Sequence, residues 1–247
     1  MNDAKLQSTS IQVMSRMFSL LDTLASGQDA ISLKYIAAQT GLHPSTAHRI
    51  LNDLAAGRYV ERAGPGTYRL GLRLLELGNL VRSRLDLRDI SGKPMVELHR
   101  LVGLTVSLYE RQEQESICLA RTAQERSGIQ LHRGTSRSAL IETTAGRAML
   151  IKDTPAQVYH LCQQGSHRAE SVSLDVQQAR QSGLLSGPDD LLMGQTCTAT
   201  PLFNDAGQVV GALCISGAPS ADLAGALQDT AARISAQMGW RQPEASA

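Results

Sequence analysis

The chain has 247 residues, an apolar fraction of 42% and a formal net charge of only +1. This length suits one large or two small domains, and the apolar fraction is high enough for packed cores. Apolar runs stay below the ~18 residues of a membrane span, and the N-terminus lacks the charged-then-apolar pattern of a secretory signal. The four cysteines form no C-x-x-C pair, which favours reduced thiols in a cytoplasmic protein over disulfides or a zinc site.

The first segments in chain order predict a disordered start followed by two helices. Residues 1–9 are expected to be disordered, and a helix is predicted from Ile11 to Ala25. A second helix follows Ser32, a good N-cap residue. It ends at Gly41, where a positive φ costs glycine little.

A third helix is predicted from Pro44, because proline is well tolerated at the first helical position. One of its faces is apolar at helical spacing and carries Ala47, Ile50, Leu51 and Leu54. Another face can form hydrogen bonds and carries Ser45, His48, Arg49 and Asn52, with Thr46 in the first turn. An α-helix fits the DNA major groove, where side chains of this kind read base edges.

A β-hairpin is predicted after this helix. Residues 59–62 and 67–70 alternate around the turn Ala63-Gly64-Pro65-Gly66. Arg62 lies beside the turn and is the predicted phosphate or minor-groove contact. Residues 1–90 hold eleven Lys and Arg against eight Asp and Glu, a net charge of +3. This mild excess has the sign expected of a DNA-binding half.

The segment from Gly41 to Gly71 resembles the winged helix-turn-helix of the isocitrate lyase regulator (IclR) family of bacterial transcription factors. The matching positions are Gly41, Leu42, Ser45, Thr46, Arg49, Leu51, Leu54, Gly57, Tyr59, Val60 and Tyr68 to Gly71. The resemblance implies a ligand-responsive, sequence-specific regulator, a repressor or an activator, of a catabolic operon. It also implies operator DNA, a small effector and a second copy as partners, and leaves contact with RNA polymerase open.

A linker helix is predicted next, over residues 72–87. Its apolar positions step by four, three and four residues, as in a short heptad seam, through Leu70, Leu74, Leu77 and Val81. The pattern fits a helix packed on its own domain, or one that pairs with its twin. The resemblance favours the dimer or a dimer of dimers, and a two-fold protein suits a palindromic operator.

The second half, residues 88–247, predicts an α+β domain in which antiparallel strands are interrupted by helices. Helices are expected over residues 94–102, 143–150, from 153 onwards, 173–182 and 221–238. Strands are expected over 104–111, 116–122, 128–133, 196–203 and 208–216. The complete architecture is an N-terminal winged helix-turn-helix over residues 10–71, the linker, and a C-terminal effector-binding and oligomerisation domain.

The IclR resemblance continues more loosely through this half and implies a GAF-like effector domain. Three stretches carry it: residues 139–151 around Gly146, the Gly194-to-Phe203 segment, and Cys214 to Gly217. In family members that bind small acids, these stretches meet around the ligand. The residues carried over as the ligand site are Thr144, Ala145, Gly146, Cys197, Cys214 and Ser216. The effector is expected to be a small organic acid or an aromatic metabolite. Gly187 stands where the family often has an acid, which predicts a roomier and less polar site that suits a larger or more aromatic molecule.

Several alternatives remain open. Thr144, Ala145 and Gly146 could serve only close helix–sheet packing, and buried cysteines usually act as small apolar residues. The regulator could lack a small effector, its helix-turn-helix could bind protein only, or a DNA-binding domain could be fused to an enzyme. No G-x-S-x-G, P-loop or G-x-G-x-x-G motif is present, so neither catalysis nor a cofactor is expected. The histidines have no metal-ligand spacing, and His99 is predicted on an exposed helix face.

Overall fold

The computed structural model describes residues 3–27, 30–82, 84–163, 169–217 and 220–241. The chain divides into two compact units, Met1–Arg84 and Leu85–Ala247. Among the described residues, none of the helices combines the length and apolar composition that a membrane crossing requires.

The first unit is a helical head with a small antiparallel sheet. Its sheet has the strand order β1 (Ile31–Ser32), β3 (Thr67–Leu70), β2 (Val60–Gly64). Buried side chains of the first three helices and the β2–β3 hairpin share one core, which includes Leu20, Ile36, Leu51 and Tyr68. In chain order the elements are α1 (Asp3–Ala25), β1 (Ile31–Ser32), α2 (Leu33–Thr40), α3 (Pro44–Ala56), β2 (Val60–Gly64), β3 (Thr67–Leu70) and α4 (Leu72–Arg82).

Local signals explain most boundaries of this unit. The Ser32 hydroxyl accepts a hydrogen bond from the Tyr35 N–H, and Gly41 ends α2 with φ of 66°. Helix α1 begins at Asp3, whereas the sequence predicts disorder to residue 9; residues 1 and 2 lie outside the described residues. Ala4, Lys5, Leu6 and Gln7 all have high helix propensity, which accounts for the longer helix.

The second unit consists of seven strands and five α-helices among the described residues. Its first elements are α5 (Leu87–Val102), β4 (Val106–Gln112), β5 (Glu115–Glu125), β6 (Gly128–Arg133), β7 (Arg137–Ala139) and, after one 3-10 turn, α6 (Thr144–Ala148). A second 3-10 turn leads to α7 (Pro155–Gln163), α8 (Ala169–Ser182), β8 (Leu185–Pro188), β9 (Thr196–Phe203), β10 (Val209–Ser216) and α9 (Ala221–Gln237). The strands form one antiparallel sheet in the order β6-β5-β4-β10-β9-β8, with β7 also paired to β5.

Helices cover both faces of this sheet. Leu213 and Ile215 of β10 pack into a core with α5 and α9. Ala212 and Cys214, which alternate with them, pack into a second core with α6, α7 and α8. The central strand is buried on both faces because each face carries its own helical layer.

The structure corrects two predictions in this unit. Helix α5 begins at Leu87, with Asp86 as its N-cap, rather than near Pro94. The prediction that His99 is exposed is wrong: His99 lies four residues after the buried Met95, on the same inward face of α5, and is 5% exposed. Its Nδ1 lies 2.7 Å from the Thr122 Oγ1, and this hydrogen bond gives the buried nitrogen a partner.

Candidate functional site

The two predicted faces of α3 are separated as the spacing requires. Ala47, Ile50, Leu51 and Leu54 are buried, whereas Ser45, His48 and Arg49 are exposed. Ser45 lies in the first turn, where its hydroxyl is 2.8 Å from the His43 Nδ1. Helix α3 therefore packs on the head through its apolar face and presents its polar face to solvent.

Asn52 connects α3 to the β2–β3 hairpin. Its Oδ1 accepts a 2.7 Å hydrogen bond from Arg62, and its amide lies 3.4 Å from the His48 Nδ1. The partner of Arg62 is uncharged, so the guanidinium charge is not neutralised. Within the described part of the chain, Arg49 makes no hydrogen bond or ion pair, and it is exposed.

Helix α4 is fixed to the same head at its first turns. Glu76 accepts from Arg58 at 2.6 Å and from Arg73 at 2.9 Å. Gly71 precedes the helix, and its backbone packs closely against that of Arg58: a Cβ on Gly71 would lie 2.2 Å from the Arg58 carbonyl oxygen.

The apolar side chains of α4 are distributed differently from the predicted seam. Leu70 ends β3 rather than joining the helix, and Leu74 and Leu77 are half-buried. The exposed ones are Leu72, Leu75, Leu80 and Val81, each between 51% and 60% exposed. On α1, Met14 and Phe18 are likewise 51% and 54% exposed.

In the second unit, predicted ligand residues from distant parts of the chain meet around the carbonyl of Pro188. The Thr144 hydroxyl donates to it at 2.9 Å and the Cys197 thiol at 3.5 Å. Ser216 pairs with Cys197 across β9 and β10, and the Cys214 thiol contacts that of Cys197. Burial raises the pKa of Cys214, so it stays a neutral thiol.

Two glycines show how tightly α6 is packed there. A Cβ on Gly146 would lie 2.2 Å from the Leu140 carbonyl oxygen, so this glycine permits a close backbone approach. A Cβ on Gly187 would lie 2.6 Å from the Thr144 Oγ1. The room predicted at Gly187 is therefore filled by Thr144, because β8 packs directly on the start of α6.

An open cavity of about 440 Å³ lies beside Thr144. Its lining includes Glu142, Asp189, Asp190 and Arg147 as well as hydroxyl side chains such as that of Ser138. Of the six predicted ligand residues, Thr144 belongs to this lining. The described residues contain no group of three His, Cys, Asp or Glu side chains placed to hold a metal ion.

Asp189 and Asp190 were not identified from the sequence as site residues. The Asp190 carboxyl accepts hydrogen bonds from the Tyr109 hydroxyl and the Thr144 N–H. Burial of this carboxyl, together with the charge of Asp189, raises the pKa of Asp190 to about 6. No sequence motif marks this pair, because its position depends on how the β8–β9 loop returns to α6.

Two family models match the chain. The IclR helix-turn-helix domain matches residues 13–64, and the bacterial transcriptional regulator IclR C-terminal domain matches residues 80–236. The second model alone covers more than half of the chain, and together they reach from α1 to α9.

Named relatives and similar solved structures point to the same family as these two models. The glycerol operon regulatory protein of Streptomyces griseus is 28% identical over 251 residues, covering 93% of this chain and 97% of that protein. Pseudomonas aeruginosa HmgR has a similar structure, with a TM-score of 0.70, 22% identity, and coverage of 91% and 96%. An IclR homologue from Microbacterium hydrocarbonoxydans, solved with 4-hydroxybenzoate, has a TM-score of 0.54, 21% identity, and coverage of 92% and 98%.

These matches, the helix-turn-helix with its hairpin, and the α+β unit that follows it in the chain have one explanation: the chain belongs to the IclR family and is a transcriptional regulator with an N-terminal DNA-binding domain.

Proposed function

We propose that the protein is a ligand-responsive, sequence-specific regulator of a catabolic operon. Helix α3 enters the major groove, where Arg49 contacts a base edge. Arg62 on the hairpin contacts the phosphate backbone. An effector in the second unit favours one of two arrangements of the chain and thereby changes operator affinity.

The observation that carries the DNA-binding half is the polar face of α3. Arg49 is exposed and makes no hydrogen bond or ion pair within the described residues, so its guanidinium is available to a guanine edge. Asn52 contacts His48 and accepts a hydrogen bond from Arg62, and this bond holds the Arg62 guanidinium beside α3. Ser45 and Thr46 lie in the first turn of α3, where backbone N–H groups suit a phosphate.

The effector half is supported by Thr144 and Cys197, which both donate to the Pro188 carbonyl, and by the cavity that Thr144 and Pro188 line. Cys214 and Ser216 lie next to Cys197 rather than at Pro188. The solved complex of a related regulator with 4-hydroxybenzoate supports a small molecule as effector. The named glycerol operon relative supports control of a catabolic operon.

Two copies of the chain are proposed to bind one operator. Leu72, Leu75, Leu80 and Val81 on α4 leave apolar surface exposed on the DNA-binding unit, and such surface commonly marks an interface. A two-fold dimer matches a palindromic site.

The test is a gel shift of the purified chain with the DNA upstream of its own coding region. We expect a shifted band that survives excess unrelated DNA and weakens as salt rises. Arg100→Ala, a change at an exposed arginine of the second unit, should bind as the unchanged chain does. Equal binding to unrelated DNA, or no binding at low salt, would overturn the proposal.

A further inference from the structure

The cavity beside Thr144 has an unbalanced negative charge. Its lining has three carboxylate side chains, Glu142, Asp189 and Asp190, against one cation, Arg147. That cation is already engaged, since Arg147 donates to Asp175 at 2.7 Å and to the Ile141 carbonyl at 2.6 Å. Among the described residues, none of the three carboxylates takes part in an ion pair.

Asp189 carries a buried oxygen that lacks a partner. The residue is 9% exposed. Its Oδ1 accepts from the Leu191 and Leu192 N–H groups at 2.8 and 3.0 Å. Its Oδ2 is buried and, within the described residues, has no hydrogen-bond donor. A buried acceptor without a donor costs stability, so a ligand that brings one gains from satisfying it.

Asp190 adds a second carboxyl next to the first; this carboxyl is partly desolvated although the residue as a whole is exposed. It accepts from the Tyr109 hydroxyl and the Thr144 N–H, two neutral donors that leave its charge uncompensated. The neighbouring Asp189 disfavours this charge further. Two adjacent carboxylates in a partly buried site attract a cation and repel an anion.

We propose that this cavity binds the positively charged ammonium end of a small organic molecule, held between Asp189 and Asp190. The inference rests on the proposed sensor function and narrows its effector to an amine. An ammonium group supplies the donor that Asp189 lacks and balances both carboxylates. A carboxylate ligand would add a like charge at the same place. The cavity volume of about 440 Å³ accommodates a molecule of one ring and a short chain.

The experiment uses three probes that share a phenol ring and differ in the charge of the side chain. They are tyramine, which is cationic at neutral pH, tyrosol, which is neutral, and 4-hydroxyphenylacetate, which is anionic. Binding of each to the purified full chain is measured by calorimetry. We expect tyramine to bind at least about tenfold more tightly than either of the others.

Variants then locate the site. Asp189→Asn and Asp190→Asn keep the side-chain shape and remove the charge, and each should reduce tyramine affinity about tenfold. Glu142→Lys, on the exposed rim, should reduce it without disturbing the interior. Asp222→Asn, an exposed acid in the first turn of α9, is the matched control and should bind tyramine normally. Circular dichroism checks that each variant folds.

The outcomes separate this inference from the proposed function. The ammonium site is supported if the chain prefers tyramine, the cavity variants lose this preference and Asp222→Asn keeps it. Equal or tighter binding of the acid, no binding of any probe at millimolar concentration, or unchanged preference in all three cavity variants overturns it. Operator binding is measured on the same preparation. A chain that binds its operator without preferring the amine refutes this inference alone. A chain that prefers the amine but binds no operator refutes the proposed function alone.

Discussion

Arg49 and Arg62 are both exposed arginines of the head, but their surroundings assign them different roles. Arg62, on β2 near the turn of the hairpin, donates a hydrogen bond to Asn52, whereas Arg49 extends from α3 with no partner among the described residues. A free guanidinium on the proposed recognition helix suits a guanine edge. We therefore expect Arg49→Ala to lose about 1–3 kcal/mol of operator binding. The measurement is a binding titration against the operator and against mutated operators.

Arg62→Ala is the natural comparison for this prediction. As a phosphate contact, Arg62 should contribute about equally to all sequences, and its loss should lower the salt slope by about one unit. The same titrations, repeated at several salt concentrations, distinguish the two arginines. A variant Arg49→Ala that is folded and binds with unchanged strength and specificity would contradict the assignment of Arg49.

Asp190 should make stability depend on pH between neutrality and acid. Its pKa is raised to about 6 by burial and by Asp189, above the ~3.9 of an unfolded aspartate. The folded state therefore binds this proton more tightly than the unfolded state. Ionisation of Asp190 destabilises the fold at neutral pH, and the penalty is relieved as pH falls through 6.

The change that tests this is Asp190→Asn, which imitates the protonated form and can still accept from Tyr109. At pH 7.5 the variant should unfold at a higher temperature than the unchanged chain, and near pH 5 the difference should shrink. Thermal melts across this range measure it, and Asp222→Asn controls for a generic loss of negative charge. A difference that stays constant with pH would show that the Asp190 carboxyl titrates normally.

At the scale of elements, the sequence predicts the helices and strands that are marked by nearby residues, such as caps, turns and apolar spacing. Helix α3 follows from Pro44, its apolar spacing and its polar face, and β9 and β10 follow from long apolar runs around a turn. Strands β1, β7 and β8 are two to four residues long and carry no alternation that would distinguish them from loops.

Side-chain environments that depend on distant packing could not be predicted. The hydrogen-bond partner of His99 is one example, because Thr122 belongs to β5 and only the fold brings it to α5. The candidate DNA surface is formed by α3 and the neighbouring hairpin, so its residues could be proposed from one stretch. The acidic cavity joins Glu142 to Asp189 and Asp190, which lie more than forty positions further along the chain, and only the folded β8–β9 loop brings them together.

Helix α6 contains a glycine whose role the structure makes testable. Gly146 lets α6 approach the Leu140 backbone, where a Cβ would lie 2.2 Å from a carbonyl oxygen. Gly146→Ala should therefore destabilise the chain by about 1–3 kcal/mol, as overpacking does. Gly225→Ala in α9 meets no heavy atom within 4 Å and should stabilise the chain by about 0.5–1 kcal/mol.

Urea unfolding of the two glycine variants measures both effects. If the free energy of unfolding falls in Gly146→Ala and rises in Gly225→Ala, close packing outweighs helix propensity at Gly146. A stable Gly146→Ala protein would mean that the α6 start can shift away from Leu140. It would also free Gly146 for the ligand role that the family resemblance implies.

At the scale of the whole molecule, we expect the exposed face of α4 to connect the proposed dimer to DNA binding. Leu72 and Leu75 are 58% and 59% exposed, while Glu76 is bound by Arg58 and Arg73. Because the helix is fixed to the head through Glu76, a contact between two α4 helices would set the spacing of two recognition helices. Half-site spacing on a palindrome depends on that distance.

Leu75→Glu tests this arrangement, because a charge in the contact disfavours pairing. Leu75 is exposed, so the change should alter the stability of one chain by no more than about 0.5 kcal/mol. We expect a lower mass by light scattering and weaker binding to a palindromic operator. Affinity for a single half-site should stay the same. Leu101→Glu is the matched control, since Leu101 is 74% exposed in the second unit, and it should leave the mass unchanged. If Leu75→Glu keeps both the mass and the palindrome affinity of the unchanged chain, α4 is not the contact that spaces the recognition helices.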